Sequence, residues 1–178
     1  RKVKDLTIIV RSYTSIEINK SKVMLDQNKN RIFEKPKIEY TLRTINSLIV
    51  SCNEALKQFK DIKINLLITD DNSTEESLVA INKLLNQSKL DFKIINIGKD
   101  EFNDLIKKKD INKNDVSEAM ISNMRNILKS IYITKDEVKD LVYFVEDDYL
   151  HAKEALTEML YTYEKISSQI GREIFLCP

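Results

Sequence analysis

Glycine occurs only twice in the 178 residues, at Gly98 and Gly171. Walker A loops and GxGxxG turns need several positions where the bare backbone closes on a phosphate, so two isolated glycines exclude both. Any nucleotide is therefore held by something other than a glycine-rich cradle. Cysteine and histidine are equally sparse. Cys52 and Cys177 form no CxxC pair and His151 is the single histidine, so zinc-finger and dithiol-redox readings fail. A Ser-His-Asp triad would have to use His151, and no GxSxG turn exists for it to serve. Long apolar runs are missing too: Leu66-Leu67-Ile68 is far short of a spanning helix, and no signal-peptide pattern opens the chain. A cytoplasmic location is expected, at most peripheral to the cytosolic membrane face. Nor does one sign of charge dominate. Lys plus Arg is 29 and Asp plus Glu is 28, so no bulk attraction draws nucleic acid or an anionic membrane.

What remains, 42% hydrophobic and 32% charged residues, is the composition of a soluble globular chain with enough material for one domain over residues 1–178. The opening Arg in place of Met leads us to expect a fragment of a longer protein. Short apolar runs alternate with stretches of helical period, which predicts an α/β fold with a largely parallel central sheet flanked by helices. Strands are expected at 6–10, 64–69, 92–97 and 141–145, with a fifth cut short at 174–176. The charged, Asn- and Lys-rich stretch 17–37, containing Pro36, reads as an insertion or extended loop. From Thr41 the residues Leu42, Ile45, Leu48, Ile49, Cys52, Leu56 and Phe59 predict an amphipathic helix, with Cys52 a small buried hydrophobe. Ser73 with Glu76 and Asp115 with Glu118 have the form of capping boxes and predict two further helix starts. The second of these helices is expected to bury Ile121, Met124, Leu128 and Ile131. A last helix carries Ala152, Ala155, Leu156, Met159, Leu160, Tyr163 and Ile166 on its inner face, with His151 at the surface or in the first turn. The lysines of 107–113 read as a solvated loop.

Two acidic clusters, Asp70-Asp71 and Glu146-Asp147-Asp148, fall at the ends of predicted strands, where open α/β sheets bind ligands. Gathered carboxylates repel one another and need a cation or hydrogen-bond donors. Oxygen ligands without His or Cys suit Mn²⁺ or Mg²⁺, and such an ion leaves positions for phosphate oxygens. The competing reading is that these carboxylates cap the helices that follow, where the macrodipole favours negative charge.

The order of these segments carries a resemblance. An opening strand ends in Arg11-Ser12-Tyr13, Leu-Leu-Ile-Thr-Asp-Asp-Asn-Ser-Thr-Glu-Glu follows at 66–76, then Met124-Arg125-Asn126, then Val-Tyr-Phe-Val-Glu-Asp-Asp-Tyr at 142–149. This series resembles the nucleotide-binding part of GT-A fold glycosyltransferases, most closely family 2, over about residues 5–178. The resemblance implies a Rossmann-like GT-A fold and a metal-dependent transfer of sugar from a nucleotide-diphosphate sugar, with a UDP-sugar favoured, to a glycan, lipid or protein acceptor. It assigns Asp71 and Asp70 to the base, with Tyr13 and Arg11 lining the same pocket. Glu146, Asp147 and Asp148 take the place of the DxD motif: Asp148 and Glu146 as metal ligands, Asp147 or Glu146 facing the ribose. Arg125 is placed near the diphosphate. The general base belongs to an acceptor-binding half expected beyond residue 178. Two alternatives accompany this reading. One is a non-catalytic sugar-nucleotide-binding or interaction domain of the same fold. The other, a receiver-like phospho-signalling module, explains only one of the two acidic clusters.

Overall fold

The computed structural model describes residues 1–15, 35–109 and 112–177. Most of the expected insertion, 17–34, lies outside the described residues; its last residue, Lys37, is not loop but the start of a helix. Element order is β1 (Asp5–Ser12), α1 (Lys37–Gln58), β2 (Lys63–Asp70), α2 (Glu75–Asn86), β3 (Asp91–Asn96), α3 (Glu118–Glu137), β4 (Leu141–Glu146) and α4 (Ala155–Ile170). The strands form one parallel sheet in the order β3-β2-β1-β4. The chain steps outward from β1 through β2 to β3, then returns across the sheet to β4 on the other side of β1. That reversal makes the gap between the carboxyl ends of β1 and β4 the topological switch point, the ordinary ligand crevice of such a sheet.

The alternation of side chains along the strands decides the two faces. Leu6, Ile8 and Val10 of β1, with Ile64, Leu66 and Ile68 of β2, join Ile45, Leu48 and Cys52 of α1, Ile81 and Leu85 of α2, and Leu156 and Leu160 of α4 in a single apolar core. The opposite face carries Thr7, Ile9 and Arg11 of β1 and is crossed by α3, which packs on β1 and β2. The burial of Cys52 was expected, and burial pushes its thiol up to about 12.

Several local expectations need correction. The N-cap of α2 is Thr74, whose hydroxyl accepts from Ser77 N, and that of α3 is Ser117, which accepts from Met120 N. Each helix starts beyond its expected cap, Ser73 or Asp115; Ser73 Oγ instead accepts from Thr14 N at 2.9 Å, tying the end of β1 to the turn after β2. The inner face of α3 is also rotated. Ser122, Arg125, Asn126, Ser130 and Ile133 are buried, the expected Ile121, Met124 and Leu128 are half-buried, and Ile131 is 52% exposed. Apolar periodicity missed the most buried stripe because most of it is held by polar pairs made only in the folded chain. Residues 174–176 form no strand, although Ile174 and Leu176 pack on the core. On α4, Leu156, Leu160 and Tyr163 are buried as expected, Ile166 is exposed, and Ala152 precedes the helix. His151 also precedes it. It is half-buried, donating its backbone N–H to Ser47 Oγ, with Nε2 2.9 Å from Tyr143 Oη. Lys107, Lys108 and Lys109 are exposed, as a solvated loop requires.

Candidate functional site

The carboxyl ends of β1, β2 and β4 bring both acidic clusters to one edge. Register places Arg11 beside Glu146 and Ser12 beside Asp70, so three strand ends meet within adjacent rows. The turn after β2 is closed by Asn72 at φ 66°, a left-handed conformation that Asn tolerates better than most residues, and by Ser73 N donating to Asp70 Oδ2 at 3.1 Å.

Each carboxylate has a distinct environment. Asp71 is fully buried, and both of its oxygens accept from Arg125 Nη1, at 3.0 and 3.1 Å. Arg125 Nη2 reaches Glu118 at 2.8 Å. Asp70 is 2% exposed, and burial pushes its pKa up, with adjacent Asp71 adding to the rise while Ser73 and Ser12 temper it. Among the described residues its Oδ1 makes no hydrogen bond of ordinary geometry. Asp147 is buried and well satisfied: Lys37 Nζ lies 2.6 Å from Oδ1, Thr41 Oγ1 donates to Oδ2 at 3.0 Å, and Tyr13 N donates to Oδ2 at 3.5 Å. Glu146 is largely exposed and bonds Arg11 Nη2 at 2.6 Å, while Arg11 Nη1 reaches Asn123 of α3. Asp148 is 46% exposed, with a long contact of 3.9 Å to Lys37 Nζ. Tyr13 is half-buried, and its phenol is pushed up first by burial and then by Glu118 and Asp71.

The expected residues are thus brought together, but most are already paired with cations of the chain itself. Among the described residues no group of three His, Cys, Asp or Glu side chains stands ready to hold a metal. A divalent ion of the Mg²⁺ type needs only one or two carboxylates when substrate phosphates supply further oxygens. Asp148 meets that requirement as it stands, and Glu146 would meet it on release from Arg11.

Sequence reasoning missed the groups that organise this edge from α1. Thr41 donates to Asp147, Ser47 accepts from His151 N, and Ser51 accepts from Leu156 N at 2.9 Å. One polar stripe of α1 thereby fixes the whole segment from β4 to α4. The available signal was Lys37 directly after Pro36, a cation in a first helical turn that the macrodipole disfavours unless an anion faces it. Asn126, the last residue of the Met124-Arg125-Asn126 string, donates from Nδ2 to Ser12 O at 3.0 Å and locks α3 to the end of β1. A separate cavity of about 840 Å³ runs along the free side of β4, reaching Arg11, Glu146 and Tyr149 at one end and the 173–177 segment at the other.

No protein-family model matches the chain. Beta-hexosaminidase subunit B1 of Dictyostelium discoideum is 28% identical over 152 residues, covering 75% of this chain and 26% of that protein. Among solved structures, S. aureus TarS (1–349) matches with a TM-score of 0.48 and 17% identity, over 90% of this chain and 32% of the other. The chain spans about a quarter of the curated relative and about a third of the solved one. At these levels neither likeness assigns a family, and the functional reading rests on the residues themselves.

Proposed function

We propose that this chain is the donor-binding part of a GT-A-like glycosyltransferase, which takes a nucleotide-diphosphate sugar and passes the sugar to an acceptor hydroxyl. One observation carries the reading: Tyr13, Asp70-Asp71, Arg125 and Glu146-Asp147-Asp148, widely separated in sequence, share the carboxyl edge at the switch point between β1 and β4. The motif order and the strand-end placement agree with a donor site of that kind.

In this reading Asp70 and Asp71 discriminate the base, and the Tyr13 ring lines the pocket. Arg125 acts as a positioning residue: its guanidinium is spent on Asp71 and Glu118, so it holds the Asp71 carboxylate in place. Asp147 anchors the segment after β4 to α1, which leaves Asp148, with Glu146, to hold Mn²⁺ or Mg²⁺. Such an ion, when bound, neutralises charge that grows on the nucleoside diphosphate as it leaves. UDP-sugars are the favoured donors; no residue of this chain is assigned as the general base.

Titration calorimetry tests the assignment. The chain should bind UDP in the presence of Mn²⁺, and Asp148→Ala should weaken that binding by about tenfold or more, equivalent to losing a charge-assisted contact. Unchanged affinity in the variant removes the metal from Asp148. Binding without sugar transfer by the longer protein would make this a binding module rather than an enzyme.

A further inference from the structure

Lys37 is the first residue of a 22-residue helix whose N-cap, Pro36, offers no side-chain hydrogen bond. Its side chain is only 10% exposed. A cation in that place faces the positive end of the helix dipole and loses hydration as well, so it persists only where anions hold it. Asp147 does so at 2.6 Å, and Asp148 lies at 3.9 Å, too far for a hydrogen bond. The ammonium has three donors, and among the described residues Asp147 takes one of them. Lys37 therefore points its charge along the side of Asp147 that faces Asp148, the carboxylate assigned to the diphosphate end of the site. Arg11 and Arg125 lie at the same edge, but Arg125 is committed through short contacts to Asp71 and Glu118, and Arg11 is held by Glu146 for as long as no divalent ion releases that carboxylate.

We infer that Lys37 is a second cation of the diphosphate subsite, placed so that a nucleoside diphosphate meets a positive charge whether or not a divalent ion is bound. The inference rests on the donor-site reading above and goes beyond it in specifying how the phosphates are recognised. A lysine is suited to this, because its flexible stem lets the ammonium share a phosphate oxygen without leaving Asp147, and a point charge needs no fixed bidentate geometry.

The test titrates the chain with UDP in EDTA and again in Mn²⁺, for the native protein, Lys37→Gln and Lys37→Arg. The native chain should bind UDP in EDTA within about tenfold of its affinity in Mn²⁺. Lys37→Gln should lose roughly tenfold in EDTA but only about threefold in Mn²⁺, and Lys37→Arg should restore the EDTA binding. Native binding that requires Mn²⁺ leaves the donor-site reading intact and overturns the role of Lys37. Equal losses for Lys37→Gln in both media also overturn it, since they would report damage to the fold around Asp147. An unchanged EDTA affinity in Lys37→Gln overturns it as well. If UDP binds in neither medium, the donor-site reading itself fails and takes this inference with it.

Discussion

Asp70 and Asp71 are neighbours in sequence with opposite electrostatic fates. Asp71 is wholly buried against Arg125, and removing its charge leaves the buried guanidinium with only the largely exposed Glu118 as a carboxylate partner among the described residues. Asp71→Asn should therefore destabilise the fold by about 3 kcal/mol, read as a shift in the urea midpoint. Among the described residues Asp70 has no such cation, and burial raises its pKa above the ordinary 3.8. An acid with a raised folded pKa weakens the fold while it is ionised, and the penalty is relieved as pH falls through the folded pKa. Asp70→Asn should accordingly be at least as stable as the native chain near neutral pH, while base discrimination falls. A clear loss of stability in that variant would mean that Asp70 serves the fold, not a ligand. The presence of both acids was legible in the sequence, but which one is paired depended on where α3 delivers Arg125.

At the scale of elements, α3 shows how far periodicity reaches. The helix itself was legible from its repeating apolar residues, but its orientation was not. Its buried stripe of Ser122, Arg125, Asn126 and Ser130 is fixed by bonds to Asp71 and Ser12 and by Ser130 Oγ donating to Asn126 O. Ile131→Ala should change stability by no more than about 0.5 kcal/mol, as for an exposed surface site. Leu160→Ala, on the buried face of α4, should cost about 2–5 kcal/mol. Comparable losses at the two positions in denaturant titrations would contradict this placement of α3. The caps follow the same logic: Ser117→Ala should cost about 1 kcal/mol, and Asp115→Ala clearly less, because the hydroxyl of Ser117 satisfies the orphan Met120 N–H.

Across the whole molecule, α1 joins the core to the site. Its apolar stripe fills the face shared with α2 and α4, while Lys37, Thr41, Ser47 and Ser51 clamp the segment after β4. His151 lies within that clamp, and burial lowers its pKa below 6.5. The unfolded chain then takes up the proton first as pH falls from about 6.5 towards the lower folded pKa, so stability declines through that window. Thermal midpoints measured from about pH 7.5 down to about pH 5 should fall more steeply for the native chain than for His151→Gln. Parallel profiles would show that His151 does not report on the clamp.

The sequence by itself determined the four principal strands, their parallel α/β arrangement and the presence of acid at two strand ends, because hydrophobic period and turn chemistry are local properties. It did not determine the pairing of those acids. Glu146 with Arg11, Asp147 with Lys37 and Asp71 with Arg125 join residues 135, 110 and 54 positions apart. No local pattern encodes such partners; they arise when strand order and helix packing bring opposite charges to one edge, where loss of water makes each charge depend on its neighbour. The near absence of glycine had excluded a glycine-rich phosphate loop, and the tertiary structure decided which side chains stand together at the sheet edge.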